Sequence, residues 1–281
     1  MRTQLRILTL LIALSVLSVG ISSAQTTRTV PGDAATIQAA INASATGDIV
    51  QLIASHTYTE AVTINVTNLT LQGADATSLI HPSSGSGITV SANGVTIKNL
   101  TVTSPSSGIS ANGVSNLTIN GVNADGSTGS GAQLTNVATA HVTNSSFSNN
   151  LDEGLNAVGG SSYTLSGVTA DGNGSVANGS GVNLKGITGP SSVGITSASN
   201  NHNHGLSVGD GSTNVTINGG TFTGNGQPGN TNTGAGINII ASGGNKTSNI
   251  TVNGIVNSST NKSAGIYIFA QTDSVNNVTI G

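Results

Sequence analysis

The chain has 281 residues and a formal net charge of −3, and only 6% of its residues are charged. Intrinsic disorder usually combines low hydrophobicity with high net charge, so regular short runs of Val, Ile and Leu in a weakly charged chain disfavour it. Aromatic residues make up 2% and cysteine is absent. A folded core therefore has to be built from aliphatic side chains, without disulfides.

The first 24 residues have the pattern of a cleavable secretory signal. Arg2 and Arg6 precede an apolar run from Ile7 to Val19, and the small residue Ala24 stands at the expected cleavage site. The run is shorter than the ~20 residues that span a bilayer. We expect cleavage after Ala24 and a secreted location, either extracellular, periplasmic or at the cell surface. A retained N-terminal anchor is the alternative.

Without residues 1–24, five basic residues remain against ten acidic ones, a net charge of −5. Nucleic acids and anionic membranes are bound by basic patches. We therefore expect neither of them as a partner. No second apolar stretch is long enough to span a membrane.

Residues 25–75 are predicted to form an N-terminal cap and the first turns of a repeat structure. Ile37, Ala40, Ile41 and Ser44 follow the spacing of a short amphipathic helix. Such a helix can cover the open end of a stack of strands, where unpaired backbone groups would otherwise be exposed.

From residue 76 to residue 281 the chain repeats a glycine followed by alternating apolar residues. The unit recurs every 21 to 31 residues, as in “GITV” at Gly87 and “GVNL” at Gly181. A second unit, such as “NLTI” at Asn116, follows the first, and a short apolar pair often comes next. Within each unit, apolar residues alternate with other residues at the period of a β-strand.

Three short strands per repeat cannot bury their apolar side chains alone, so each repeat has to stack on its neighbours. Parallel stacking gives rungs about 4.8 Å apart. The predicted fold is therefore all-β: a right-handed, single-stranded parallel β-helix (a solenoid) with a short N-terminal capping helix. An antiparallel β-sandwich is the alternative, but it would not repeat the same three strands in one order.

The stretch Val30–Gly73 carries more specific motifs. They are a “TIQ-A-I” helix (Thr36, Ile37, Gln38, Ala40, Ile41), a “GD-I-L” strand (Gly47, Asp48, Ile49, Leu52), a “Y-E” turn (Tyr58, Glu60) and a strand with Leu69, Leu71 and Gly73. Together with the repeats, they resemble the right-handed parallel β-helix proteins of the pectin-lyase-like superfamily. The resemblance covers nearly the whole chain after residue 24. It implies the fold but no single function, because the superfamily includes lyases, hydrolases, esterases, epimerases, adhesins and domains like the periplasmic nitrous-oxide maturation factor.

Enzymes of this superfamily typically act on acidic polysaccharides, and the resemblance implies which residues they use. The lyases use aspartate-bound calcium with an arginine or lysine base, and the polygalacturonases carry “NTD”, “DD”, “GHG” and “RIK” motifs. None of these strings occurs in this chain, and no arginine occurs from Thr29 to Gly281. Because a cation is needed to hold a substrate carboxylate and to offset enolate charge, the missing arginine disfavours an enzyme of this kind.

One other group of candidate catalytic residues remains, with weaker support from the sequence. Aligning the repeats on their glycines stacks Glu153, Ser180 and His204 in one column, with Lys185 expected on the same surface. A carboxylate, an ammonium and an imidazole could abstract a proton beside a sugar carboxylate. We take Glu153, Lys185 and His204 as candidate catalytic residues. The alternative is a polar turn that tolerates any side chain.

Asn156, Asn183 and Ser207 come two positions after the repeat glycines. They are predicted to point outward because their strand neighbours point inward. We take these three residues as candidate binding residues.

Metal binding is weakly indicated. His202 and His204 project to the same side if their segment is extended, although exposed turn histidines would give the same pattern. Turns containing Asp125 and Asp171 could hold calcium between loops, but Asp-Gly is also an ordinary turn sequence. We predict no cofactor and no metal site, with calcium as the open alternative.

These observations predict a secreted, non-enzymatic β-helix scaffold with an elongated polar binding face, and a polysaccharide or another cell-envelope component as its partner. The alternative is a polysaccharide lyase, epimerase or hydrolase acting on uronate-containing polymers. The terminal “NNVTIG” reads as the second strand of a rung. The uncapped edge predicts end-to-end self-association or a chain cut short of its natural terminus.

Overall fold

The structure, a computed structural model, describes residues 24–175, 179–227, 234–271 and 273–281. The predicted signal segment lies outside the described residues, apart from Ala24. Within the described part of the chain, no helix is long and apolar enough to cross a membrane.

The described residues form one short helix, α1 (Ile37–Asn42), and 23 short strands, which are numbered along the chain. The strands are β1 (Thr27–Val30), β2 (Ile49–Leu52), β3 (His56–Tyr58), β4 (Val62–Ile64), β5 (Thr70–Gly73), β6 (Ser78–Ile80), β7 (Ile88–Val90), β8 (Thr96–Lys98), β9 (Thr101–Val102), β10 (Ile109–Asn112), β11 (Ser115–Asn120), β12 (Ala132–Thr135), β13 (Ala138–Thr143), β14 (Leu155–Val158), β15 (Ser161–Thr169), β16 (Val182–Lys185), β17 (Ser191–Ser197), β18 (Leu206–Gly209), β19 (Thr213–Thr221), β20 (Ile237–Ala241), β21 (Thr247–Asn257), β22 (Ile266–Ala270) and β23 (Val275–Ile280).

The strands assemble into three parallel sheets. Sheet 1 has 11 strands in the order β1-β2-β5-β8-β11-β13-β15-β17-β19-β21-β23. Sheet 2 has nine, in the order β4-β7-β10-β12-β14-β16-β18-β20-β22, and sheet 3 consists of β3-β6-β9. Each strand pairs with its counterpart in the next rung, as β12 does with β14 and β14 with β16. This pairing confirms the predicted right-handed parallel β-helix and excludes the antiparallel sandwich.

The interior consists of aliphatic columns that run through successive rungs. In sheet 1, Ile119, Val142 and Leu165 are register partners and all are buried. In sheet 2, Leu134 pairs with Ala157 in the same way. Because side chains alternate along a strand, every second residue enters the core. Each fully buried Val, Leu or Ile side chain contributes about 1.5–3 kcal/mol, which explains why the pattern repeats.

Helix α1 packs against β1, β2 and β4 at the start of the solenoid. Three residues of the helix, Ile37, Ala40 and Ile41, are buried. The hydroxyl of Thr36 accepts a hydrogen bond from the backbone of the first turn. The predicted amphipathic helix is therefore confirmed. It ends at Asn42, before the last residue of the predicted pattern.

The motif residues Tyr58 and Glu60 hold the helix and the first rung in place. The Glu60 carboxylate accepts hydrogen bonds from the backbone nitrogens of Ile37 at 2.7 Å and Gln38 at 3.1 Å. The Tyr58 hydroxyl donates to the carbonyl oxygen of Val30. In this chain the “Y-E” motif thus has a structural explanation, helix capping and closure of the first rung.

Five asparagines, all buried except the half-buried Asn261, form a ladder along the turn that leads into sheet 2. They are Asn150, Asn173, Asn201, Asn225 and Asn261. From Asn173 onward, each Oδ1 atom accepts hydrogen bonds from the backbone nitrogen and from Nδ2 of the asparagine one rung before it, at 2.9–3.1 Å. Because the ladder satisfies buried backbone amides, it holds successive turns in register.

The last rung is formed by the edge strands β22 and β23. Ile268, Phe269 and Ile280 are exposed there. The predicted end-to-end self-association stays a prediction.

Candidate functional site

Glu153, Ser180 and His204 stack in one column of the turn before sheet 2, in agreement with the alignment of the repeats. The backbone nitrogen of Gly154 donates to the carbonyl oxygen of Ser180 at 3.1 Å, and that of Gly181 donates to the carbonyl oxygen of His204 at 2.9 Å. Glu153 and His204 are therefore two rungs apart, which is about 10 Å.

Glu153 lies partly buried beside a second carboxyl group, that of Asp152. The Ser130 hydroxyl donates to its Oε2 atom at 3.3 Å. Burial raises the pKa of the Glu153 carboxyl to about 7, and the hydrogen bond and charge repulsion from Asp152 add to the shift. Glu153 therefore retains its proton up to nearly neutral pH.

His204 is held inside the turn, with 6% of its surface exposed. Its Nδ1 atom accepts a hydrogen bond from the backbone nitrogen of Ala235 at 3.0 Å. Burial lowers the pKa of the imidazole to about 4, so the ring is neutral at neutral pH and carries its proton on Nε2. Because the Nδ1 lone pair is already engaged, that atom is a structural acceptor in this turn.

The structure separates Lys185 from the other two candidate catalytic residues. Lys185 ends β16, five residues after Ser180, which is about 16 Å along the extended strand. Its Nζ atom lies 2.9 Å from a carboxylate oxygen of Asp210. Lys185 thus lies at the end of β16 beside Asp210, whereas Glu153 and His204 lie in the turn before sheet 2, and a shared catalytic role for the three residues stays a prediction.

The candidate binding residues form a row on the outer face of sheet 2. Asn156, Asn183 and Ser207 are register partners, and their strand neighbours point into the core. Nδ2 of Asn183 donates to Oδ1 of Asn156 at 3.0 Å, and Nδ2 of Asn156 donates to Oε1 of Gln133 at 3.0 Å. The outward orientation predicted from strand alternation is confirmed.

The row differs in two respects from the prediction. Gln133 and Asn238 also belong to it, and their shared position two residues after a repeat glycine could have identified both. Ser207 and Asn238 are only 9% and 4% exposed, so they offer little surface to a ligand. The accessible part, here named the amide row, consists of Gln133, Asn156 and Asn183.

Within the described ranges, no group of three His, Asp or Glu side chains is arranged to hold a metal ion. Asp125 accepts hydrogen bonds from the hydroxyl of Ser146 and the backbone nitrogen of Ser148 in the next rung. Asp171 accepts the equivalent pair of bonds one repeat further on. These aspartates connect the turns of neighbouring rungs, and calcium binding stays a prediction.

Residues 86–253 match the model of a protein family described as a right-handed β-helix region. The match covers more than half of the chain, and the chain therefore belongs to this family. Comparison with curated protein sequences gives no significant match.

Two solved structures share the fold at low sequence identity. The enzymatically active domain of tailspike protein 2 from bacteriophage CBA120 is 15% identical, with a TM-score of 0.56 over 85% of this chain and 44% of that chain. Pectate lyase Pel9A is 15% identical, with a TM-score of 0.50 over 92% of this chain and 80% of that chain. The chain thus spans less than half the length of the tailspike domain, and the similarity shows the fold alone.

Proposed function

We propose that this protein is a non-enzymatic β-helix of the cell exterior that binds polysaccharide through the amide row. The observation that carries the proposal is the row itself. Gln133, Asn156 and Asn183 stand side by side on an outward sheet face and are joined by hydrogen bonds of 3.0 Å.

The amide row offers groups that suit sugar hydroxyls. A side-chain amide has two N–H donors and an oxygen with two lone pairs. Within the row, Asn156 and Asn183 each use one donor toward the preceding residue, which leaves the other donor for a ligand. Because the rungs repeat about every 4.8 Å, the same groups recur along a line. Such a line fits an extended polymer better than a compact molecule.

The distribution of charge favours binding over cleavage. Lys185, at the end of the same sheet face, is paired with Asp210, and no arginine follows Arg28. The two structural neighbours are named as a pectate lyase and an enzymatically active tailspike domain, which supports a polysaccharide as the partner class. The signal-like N-terminus supports a secreted location.

Affinity electrophoresis through gels that contain soluble polysaccharides tests the proposal. At least one polymer is expected to retard the wild-type protein. Asn156→Ala and Asn183→Ala are each expected to weaken that binding about 3- to 10-fold, since each removes a hydrogen bond of about 0.5–1.5 kcal/mol.

The matched control is Asn218→Ala, which removes an exposed amide that donates to the Ser192 hydroxyl at 2.9 Å on sheet 1. This variant is expected to bind like the wild type. Absence of retardation by every polymer tested would refute the proposed function.

A second candidate function, a polysaccharide-active enzyme, is favoured by the raised pKa of Glu153. A carboxyl group that keeps its proton near neutral pH can act as a general acid. Incubation with uronate polymers, followed by ultraviolet absorbance for unsaturated products and reducing-end assays for hydrolysis, tests for turnover. Activity that disappears in Glu153→Gln would replace the binding role with a catalytic one, and absence of turnover supports binding.

A further inference from the structure

Two aromatic side chains stand next to each other on the outer face of sheet 2. The chain has three Tyr, three Phe and no Trp. Four of these aromatic residues are buried in the core, namely Tyr58, Phe147, Tyr163 and Phe222. The other two, Tyr267 and Phe269, both belong to β22, and Phe269 is 39% exposed. We refer to Tyr267 and Phe269 as the aromatic pair.

The register of β22 places the aromatic pair on the outer face. Ile268, which lies between the two aromatic residues, is the register partner of Ile239, and Ile239 is buried in the core. Because side chains alternate along a strand, the residues on either side of Ile268 point away from the core. Tyr267 is the register partner of Asn238, so it continues the column of outward residues that contains the amide row.

The position of β22 at the edge of sheet 2 does not explain the aromatic pair. Ile268 and Ile280 are exposed as the last members of core columns, since their register partners Ile239 and Val252 are buried. A further rung or a second copy of the chain stacked on this edge would cover those two isoleucines and leave the outer face of β22 free. The aromatic pair therefore suits a ligand that lies along the outer face of the sheet.

The two rings form one apolar surface. Their centroids are 5.9 Å apart and their planes are 16° from parallel. This separation lies within the range of about 4.5–7 Å in which aromatic rings attract each other. Because each ring restrains the other, less side-chain freedom is lost when a ligand binds.

Ile240 extends this apolar surface by one rung. It is the register partner of Phe269, and it is half-buried. A Cβ atom at Gly209, the partner of Ile240 in the preceding rung, would overlap the Cγ2 atom of Ile240. The isoleucine side chain therefore lies over Gly209, where no other side chain competes for the space. The apolar surface thus continues from β22 across β20 to β18.

We propose that the aromatic pair binds one face of an uncharged sugar ring of the polysaccharide, an inference that rests on the proposed function. A sugar ring has C–H groups on its faces and hydroxyls at its rim, so it can bury one face against an apolar surface. The face of an aromatic ring carries partial negative charge, which attracts the hydrogens of C–H groups. The Tyr267 hydroxyl can also exchange a hydrogen bond with the hydroxyls at the rim.

The surroundings of the aromatic pair disfavour a uronate ring. The negative face of an aromatic ring repels a carboxylate. The outward positions of the two preceding strands hold no charged residue; they are Ser207, Gly209, Asn238 and Ile240. Lys185, which precedes Gly209 by one rung, is paired with Asp210. A substrate carboxylate at the aromatic pair would therefore have no cation on this face within the two preceding rungs.

The aromatic pair and the amide row are two contact points on one sheet face. Asn183 and Tyr267 are three rungs apart, which is about 14 Å. The residues between them in the column, Ser207 and Asn238, are buried. An extended polymer that reaches both points gains affinity from the second contact, because that contact forms within the same complex.

The test is affinity electrophoresis with neutral polymers (hydroxyethylcellulose, β-glucan and galactomannan) and with alginate as the charged comparison. Tyr267→Ala and Phe269→Ala are each expected to weaken binding of a neutral polymer about 3- to 10-fold. Tyr267→Phe keeps the ring and is expected to bind more like the wild type than Tyr267→Ala does. Ile280→Ala is the matched control, since it removes an exposed apolar side chain of the same rung that does not belong to this face. Its binding is expected to equal that of the wild type.

The outcomes separate this inference from the proposed function. Loss of neutral-polymer binding in the aromatic variants and in Asn183→Ala supports both. Loss in Asn183→Ala alone refutes the aromatic contact but leaves the proposed function intact, and loss in the aromatic variants alone supports the aromatic contact but refutes the amide row. Binding of alginate alone refutes the uncharged ligand class, and binding of no polymer refutes both.

Sedimentation velocity of the same variants tests a protein contact at this face. Self-association that disappears in Phe269→Ala while polymer binding is unchanged would refute the inference, because the aromatic pair would then bind a second copy of the chain. An equal loss of polymer binding in Ile280→Ala would also refute it, since any exposed apolar side chain would then have the same effect.

Discussion

Asn173 is joined to Asn201 by two hydrogen bonds, in which its backbone nitrogen and its Nδ2 atom both donate to the Oδ1 atom of Asn201, at 2.9 and 3.0 Å. Both side chains are buried. A buried polar group without a partner costs about 1–3 kcal/mol. An unbroken series of ladder hydrogen bonds therefore stabilises the turn that leads into sheet 2.

Replacing Asn173 with Ala is expected to lower the free energy of unfolding by about 2–3 kcal/mol. The substitution removes the acceptor of the Asn150 backbone nitrogen and leaves that donor buried without a partner. Urea unfolding measures the loss. The exposed control Asn218→Ala is expected to cost less than about 0.5 kcal/mol. Equal losses in the two variants would contradict a special role of the ladder.

Replacing Glu60 with Ala is expected to loosen helix α1 and to cost about 1–2 kcal/mol, since the carboxylate satisfies two backbone donors of the first turn. The amides of Ile37 and Gln38 are expected to exchange hydrogen faster in the variant. Glu60→Gln keeps one side-chain oxygen, and its exchange rates at these two amides are expected to lie between those of Glu60→Ala and the wild type. Unchanged exchange at both amides would show that Glu60 does not cap the helix.

The contributions of Glu153 and His204 to the free energy of unfolding are expected to change with pH in opposite directions. The native state keeps a proton on Glu153 up to about pH 7, whereas the unfolded state loses it near 4.5, so this residue lowers stability as the pH rises between those values. The unfolded state binds a proton at His204 below about pH 6.5, but the native state does so only near 4. His204 therefore lowers stability as the pH falls through that range.

Single variants are expected to separate the two contributions. In Glu153→Gln the free energy of unfolding should rise with pH between about 4 and 6.5, and in His204→Asn it should fall with pH between about 4.5 and 7. Each slope is at most about 1.4 kcal/mol per pH unit. Urea unfolding from pH 4 to 7.5 gives both slopes. The same sign of slope in the two variants would contradict the assignment.

Replacing Asp48 with Asn is expected to destabilise the protein at neutral pH and to reduce its sensitivity to acid. Backbone hydrogen bonds from Ala45 and Thr26, together with the Arg28 guanidinium, hold the pKa of the Asp48 carboxyl below its usual value. The stabilisation is present above about pH 4 and is lost as the pH falls through the lowered value. The free energies of unfolding of the wild type and of Asp48→Asn, measured at pH 7 and at pH 2.5, test this. An equal difference in free energy between the two proteins at both pH values would contradict it.

Replacing Lys185 with Ala is expected to change little. Its ammonium group pairs with Asp210 at a site where half of the lysine side chain is exposed, and such pairs contribute about 0–1 kcal/mol. Retardation by polysaccharide is expected to equal that of the wild type. A loss of turnover on a uronate polymer in this variant would instead restore the lysine as a catalytic candidate.

The sequence was sufficient to predict the repeat and the orientation of the side chains within it. Alternation of apolar residues is a local property, so it correctly placed Asn156 and Asn183 on the outer face and the intervening residues in the core. The stacking of Glu153 over His204 followed in the same way, because both precede a repeat glycine. Helix α1 could be predicted from the spacing of Ile37, Ala40 and Ile41.

Other features were decided by contacts between rungs, which no local pattern contains. Ser207 is buried where Nδ2 of Asn238 in the next rung donates to its hydroxyl, and the separation of Lys185 from Glu153 depends on where the strand runs after the turn. By itself, then, the sequence determined the β-helix and the direction of its side chains through local periodicity. Only the tertiary structure decided which of those side chains are accessible and which meet, because that depends on the stacking of residues more than twenty positions apart.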